Sequence, residues 1–255
     1  MVARPTLRHT NNQPHFSGAL FLIRNGDSTA AVLRLANLEY RPYMNGQMYM
    51  KLKCTLLVLA VLVAGTVRAD PLVDGSAEAG KARSITCAAC HGPDGNSANP
   101  AWPSIAGQNA PYMVKQLQAF KSGSRTDPLM TGQAMPLSEQ EMRDLAVYYA
   151  SQVPAPKAVA TPESVNKGEA LYQGGNAEDR VAACLACHGP TGRGNPAAAY
   201  PMLKGQHATY TATQLRNYAN GQRKSDAPTR VMRDIAAGLD EDDIVAVASY
   251  IQGLR

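Results

Sequence analysis

The sequence predicts an all-α protein made of two tandem copies of one small helical domain, each of three to four helices. The pentapeptide Cys87-Ala88-Ala89-Cys90-His91 returns as Cys184-Leu185-Ala186-Cys187-His188. The landmarks that follow it also return in order: Trp102-Pro103, Gly107-Gln108, Tyr112, Gln116-Leu117, Phe120, Gly123, Arg125 and Tyr148 answer to Tyr200-Pro201, Gly205-Gln206, Tyr210, Gln214-Leu215, Tyr218, Gly221, Arg223 and Tyr250. Self-similarity at a fixed period marks a duplicated structural unit. No stretch of either copy alternates with the period of two that a half-buried strand requires.

Residues 50–69 read as a secretory signal peptide: Lys51 and Lys53 make a short basic start, a Leu/Val/Ala run follows, and Val67-Arg68-Ala69 offers small residues for cleavage after Ala69. The run is too short to span a bilayer comfortably. A signal peptide belongs at the start of a chain, so residues 1–49, which are polar and without period, read as an upstream extension and Met50 as the initiator. Cys54 leaves with the signal. On removal of residues 1–69, Lys plus Arg fall from 25 to 17 and Asp plus Glu from 20 to 18, so the formal charge moves from +5 to −1. The basic balance belongs to the removed segment, and it supports neither a nucleic-acid partner nor an anionic membrane surface.

The first domain is expected over residues 70–153 and the second over residues 164–255, joined by residues 154–163. In that linker Pro154, Pro156 and Pro162 favour an extended, stiff connection. Within each copy the first helix leads into the pentapeptide, over residues 77–90 in one domain and over 165–172 in the other, where an insertion precedes Cys184. The second follows Gly-Gln, over residues 111–121 and 208–219. The third starts at a cap: Ser138 with Glu141 is a capping-box pattern, and Asp240 with Asp243 a looser equivalent. Gly80 and Gly168 lie where the absence of a side chain allows the last helix to approach, near Leu145/Tyr148 and Val247/Tyr250.

Cys-x-x-Cys-His is the attachment signature of c-type haem. On a helical turn, residues i and i+3 share a face, so Cys87 with Cys90, and Cys184 with Cys187, can each form thioethers with one porphyrin. His91 and His188 then sit beneath the rings as proximal iron ligands. A thioredoxin-like pair, half a zinc site or a local disulfide explains one Cys-x-x-Cys less well when the motif occurs twice with His after it. Two covalently bound haem c groups are therefore expected, and the haem supplies the apolar centre that so short a domain lacks. Pro103 and Pro201 are candidates to accept from the second ring nitrogen of each histidine. Arg125 and Arg223 are candidates to pair with haem propionates. His207, which faces Asn109 in the repeat, is not expected to be a ligand.

A carrier that only passes electrons needs a sixth ligand, and a Met thioether there raises the potential. Of the methionines after His188, Met202 lies too close to Pro201 to reach across the ring, which leaves Met232. In the first domain Met113 and Met142 fall on helices and read as core, so the contest is between Met130 and Met135. Counted from the histidine, Met135 matches Met232 at 44 positions, whereas Met130 stands at 39. The copies differ, however, by one residue inserted before Gly205 and four between Gly221 and Met232. Counted back from the last helix, Met130 to Leu137 and Met232 to Leu239 are both seven positions. That register favours Met130, while the Met135-Pro136 context favours Met135.

Taken together, the paired Cys-x-x-Cys-His-Gly motifs, the Pro-x-x-x-Gly-Gln turns, the downstream methionines, the segments 137–141 and 239–243, the segment 205–210 and the tail 249–254 resemble the diheme cytochrome c4 family over residues 76–255. The resemblance implies two cytochrome c-like domains related by a pseudo-twofold axis. It assigns Cys87, Cys90, His91 and Met130 to one haem, and Cys184, Cys187, His188 and Met232 to the other. It also implies an electron carrier of the periplasm, soluble or peripherally attached to the membrane, working between a membrane-bound quinol-oxidising complex and a terminal oxidase or reductase. The sequence departs from the family pattern at Asp234, where a small residue is usual. A carrier of this kind is not an enzyme. The rival readings are the diheme cytochrome subunit of a flavocytochrome c and a diheme redox enzyme of the peroxidase or thiosulfate-oxidising type, which needs an open iron position.

The exported protein is expected to begin at or near Asp70. Mass spectrometry of periplasmic material should show residues 70–255 plus two haems, and a mass retaining residues 1–49 would overturn the reading of Met50 as the start.

Overall fold

The computed structural model describes residues 72–255. The expected extension (1–49), the signal peptide (50–69) with Cys54, and the cleavage site lie outside the described residues. The first domain contains α1 (Ala77–Arg83), α2 (Ile85–His91), α3 (Ala110–Ser122), α4 (Pro128–Ala134) and α5 (Glu139–Ala150). The second contains α6 (Val165–Gly174), α7 (Leu185–His188), α8 (Ala208–Ala219), α9 (Val231–Ala236) and α10 (Glu241–Gly253). Among the described residues there is no sheet, only the isolated bridges Asn176↔Val181 and Asn195↔Tyr200. No described helix is long and apolar enough to cross a membrane.

In each domain the last helix is the hub: α5 packs on α1 and α3, and α10 on α6 and α8. Both are started by full capping boxes. Ser138 Oγ accepts from Glu141 N while Glu141 accepts from Ser138 N, and Asp240 and Asp243 repeat the exchange. The pair expected to be loose is therefore complete, because an Asp carboxylate can play either part.

The crossing of first and last helices depends on the two glycines. A Cβ on Gly80 would lie 2.1 Å from the Asp144 carbonyl oxygen, and one on Gly168 would lie 2.2 Å from that of Ala246. The backbones thus meet one residue before Leu145 and Val247, with Tyr148 and Tyr250 flanking them. The side-chain cores beside these crossings are small. One gathers Met113, Leu137, Met142, Leu145, Tyr148 and Tyr149; its counterpart gathers Leu171, Tyr172, Val247, Ile251 and Leu254. Met113 and Met142 are core, as their helical positions require.

Two features differ from the sequence expectation. The first helix is broken at Ser84, whose N–H and Oγ both bond the Lys81 carbonyl, at 3.2 and 2.8 Å, in place of the helical bond to residue 80. The segments carrying Met130 and Met232 are themselves short helices. For α4 the signal was present in Asp127-Pro128: the Asp127 carboxylate accepts from Leu129 N and Met130 N, and proline fills the first turn. The linker has no helix before a 3₁₀ turn at Pro162–Ser164 and is tied to both domains. Ala155 N donates to Asn96 Oδ1 at 2.7 Å, and Lys157 Nζ donates to Ser104 Oγ at 3.2 Å and to the Gly205 carbonyl at 2.8 Å.

In an open helix Gly→Ala is worth up to about 1 kcal/mol of stability. Gly168→Ala should reverse that sign and destabilise by about 1–3 kcal/mol, because α6 must be pushed off α10. Gly132→Ala in α4, where nothing lies within 4 Å of the added Cβ, should be neutral or stabilising. Urea denaturation of the two variants measures both.

Candidate haem sites and the interface between them

A single cavity of about 920 Å³ runs between the domains. It is lined by Cys87, Cys90 and His91 from α2, by Cys184, Cys187 and His188 around α7, and by Met130 and Met232 from α4 and α9. Its size is near the upper end for a ligand pocket. The remaining lining includes Leu117, Phe120, Leu145, Leu203, Leu215, Val247 and Ile251, an apolar surround suited to a flat macrocycle. Among the described residues, two side-chain atoms buried without hydrogen-bond partners, Tyr149 Oη and Thr211 Oγ1, belong to residues of the same lining. The residues present therefore fit two haem groups.

The helical turn places both cysteines of each motif and its histidine at this wall. Burial pushes the Cys184 thiol up to about 11 and raises that of Cys87. Both histidines are buried, and burial lowers their pKa, outweighing the opposite effect of a prolyl carbonyl. They are consequently neutral imidazoles, the form that ligates iron. His91 Nδ1 lies 2.8 Å from the Pro103 carbonyl oxygen, and His188 Nδ1 lies 2.9 Å from that of Pro201. A carbonyl only accepts, so Nδ1 carries the proton in each ring and Nε2 keeps its lone pair. Met135, by contrast, follows α4 with 54% of its surface exposed and lies outside the cavity lining. Asp234 is exposed and pairs with Arg230 at 3.4 Å, turned to solvent.

Where the domains meet, the contacts are reciprocal, as an isologous twofold interface requires. Arg125 donates to Gln116 of its own domain at 2.9 Å, and to Tyr210 Oη and Gln214 of the other at 2.9 and 3.1 Å. Arg223 donates to Gln214 at 2.9 Å, and across the interface to Tyr112 Oη and Gln116 at 2.8 and 3.0 Å. Each guanidinium also covers an aromatic ring of its own domain, Arg125 over Phe120 at 4.4 Å and Arg223 over Tyr218 at 4.6 Å. Both arginines are buried and both line the cavity. Burial works against the charge of Arg223, but Tyr112, Tyr218 and Tyr210 more than offset it, and its pKa stands above the ordinary value. Neither arginine forms an ion pair among the described residues.

The repeated glutamines, tyrosines and arginines were visible in the sequence, but not as cross-domain partners. His207 belongs with them: its Nε2 donates to the Ser97 carbonyl of the first domain at 2.8 Å, and its counterpart Asn109 donates to the Tyr200 carbonyl at 2.7 Å.

The family model described as cytochrome c matches residues 77–152 and again 165–255. Cytochrome c4 of Azotobacter vinelandii is 44% identical over 208 residues, 78% of this chain and 97% of that protein. The chain belongs to the diheme cytochrome c4 family. The crystal structure of reduced recombinant cytochrome c4 from Pseudomonas stutzeri superposes with a TM-score of 0.69 at 44% identity, covering 71% of this chain and all of that one. A thiosulfate dehydrogenase electron acceptor of Stutzerimonas stutzeri is 39% identical over 170 residues, 65% of this chain and 77% of that protein. As a cytochrome c4, this chain is a two-domain cytochrome with two covalently attached haem c groups.

The fork of Arg223 meets four acceptors from one planar group, which a single ammonium cannot do. Arg223→Lys should therefore lower the stability of this cytochrome c4 by about 1.5–3 kcal/mol. Arg216→Lys, at an exposed ion pair with Glu241, should change it by under about 1 kcal/mol. Denaturant midpoints of the two holoproteins check the contrast.

Proposed function

We propose that this chain is an exported electron carrier of the periplasm, taking electrons from a membrane-bound quinol-oxidising complex and passing them to a terminal oxidase or reductase. The observation that carries the reading is that Met130 and Met232 line the same cavity as His91 and His188, so each haem site contains both a histidine and a thioether donor. Bound haem supplies one-electron ferric/ferrous chemistry.

The chain's own residues divide the remaining work. Cys87 with Cys90, and Cys184 with Cys187, bind the porphyrin edges through thioethers and make the cofactor permanent. His91 and His188 offer Nε2 to iron while Pro103 and Pro201 hold the Nδ1 protons. Met130 and Met232 would supply thioether donors to the same irons, and a haem held by both a histidine and a methionine would offer no site to a substrate, unlike that of a peroxidase-type enzyme. Among the described residues the positive charge of Arg125 and Arg223 meets only amide and hydroxyl acceptors, and they are suited to balance the propionates. Apolar side chains of both domains exclude water around the site, which favours rapid exchange of an electron with little reorganisation.

A second reading has a specific observation in its favour: the relative named as a thiosulfate dehydrogenase electron acceptor points to a dehydrogenase as donor. A diheme subunit docked on a flavoprotein would use the same ligation. Co-purification distinguishes these partners.

Substituting each methionine separately and recording the ferric Met–sulfur absorption tests the ligand set. Met130→Ala should remove about half of that band and Met232→Ala the other half. Met135→Ala should leave it intact, and loss of half the band in that variant would end the assignment of Met130.

A further inference from the structure

The two glutamines of the Gly-Gln turns are buried at the interface, and each clasps one residue of the opposite domain. Gln206 accepts from Ser104 N at 2.9 Å and donates to the Ser104 carbonyl at 2.8 Å. Gln108 accepts from Met202 N at 2.7 Å and donates to the Met202 carbonyl at 2.9 Å. Ser104 and Met202 occupy equivalent positions, directly after Pro103 and Pro201. The N–H of Ser104 therefore belongs to the same peptide unit as the Pro103 carbonyl that holds His91 Nδ1, and the N–H of Met202 to that of the Pro201 carbonyl that holds His188 Nδ1.

Two hydrogen bonds thus run in series through one planar peptide, from His91 through the Pro103–Ser104 unit to Gln206, and from His188 through the Pro201–Met202 unit to Gln108. A bond accepted from the N–H of a peptide polarises it and strengthens its carbonyl as an acceptor, by about 10–30% per bond. A stronger acceptor at Nδ1 makes the imidazole a more basic ligand, and a more basic ligand stabilises ferric iron. We propose that Gln108 and Gln206 are positioning residues acting in trans: each sets how strongly the other domain's prolyl carbonyl holds its histidine, so the potential of each haem is tuned from the opposite domain. This rests on His91 and His188 being the proximal ligands. It makes domain docking and redox potential one property, since separating the domains removes both glutamine oxygens from the peptides they polarise.

The test uses the two-haem holoprotein with Gln206→Met and Gln108→Met, which keep side-chain length and remove the acceptor. The haems are distinguished by their haem-methyl proton resonances, assigned through contacts to each domain. Gln206→Met should raise the ferrous-to-ferric ratio of the first-domain haem about threefold at a fixed potential, equivalent to about 28 mV. Gln108→Met should do the same to the second-domain haem, with the haem of the mutated domain nearly unmoved in each case. Asn109→Ala breaks interface bonds outside these peptide units and should shift neither. Should a Met variant fail to yield the two-haem protein, Gln→Asn, whose shorter amide withdraws the oxygen, is read the same way. A shift confined to the mutated domain, an equal shift of both haems, an equal shift with Asn109→Ala, or no shift in a folded variant overturns the proposal. Failure of the ligand assignment shows separately, as an unchanged haem content and low-spin spectrum in His188→Ala.

Discussion

Each domain must enclose a large flat group with fewer than a hundred residues, and most of the architecture follows from that constraint. Helices that line such a group cannot also meet one another across it. Direct packing is therefore gathered along one edge, the last helix of each domain, and it is closest where α1 crosses α5 and α6 crosses α10. At that edge the contact is made as close as backbone allows, through Gly80 and Gly168. Cys87 and Cys184 pack against the two small cores, so the attachment points join the protein's own apolar centre to the cofactor that completes it.

The cavity that gathers the candidate ligands of each domain runs to the other, and residues of both copies line it. What meets there is polar and reciprocal. Two guanidiniums, two glutamine pairs and two phenols share their hydrogen bonds, and each guanidinium divides its donors between a glutamine of its own copy and a phenol and a glutamine of the opposite one. An interface of this kind specifies one orientation, because any rotation would strand buried polar groups. It also brings the peptides that hold His91 and His188 into contact with the neighbouring domain.

Much of the fold was legible from residue patterns alone. The cysteine spacing and the histidine after it, the capping residues Ser138 and Asp240, and the small residues Gly80 and Gly168 all act over a helical turn or mark a single close approach, and local rules read such features. The asparagine–histidine difference between the copies was legible only as a difference. Its use, with His207 bonding Ser97 and Asn109 bonding Tyr200, joins residues about a hundred positions apart. The break at Ser84 and the helix carrying Met232 were missed for other reasons: a serine's local bonds to the Lys81 carbonyl compete with the helix, and Arg230 starts α9 in a left-handed conformation that no capping pattern announces.

The sequence by itself determined that there are two equivalent domains, that each has a covalent haem motif with a histidine attached, and that each has a methionine in register with the other's. These are statements about spacing along one chain, and a helical turn converts spacing directly into geometry. Only the tertiary structure decided that Met130 lines the cavity while Met135 lies outside it, that Arg125 and Arg223 face each other's domains, and that Gln108 and Gln206 reach the peptides behind the opposite histidines. Those outcomes depend on how two copies face one another. Repetition in a sequence shows that two domains share a surface, and the pairing of those surfaces is set by buried hydrogen bonds that exist only once the chain has closed on itself.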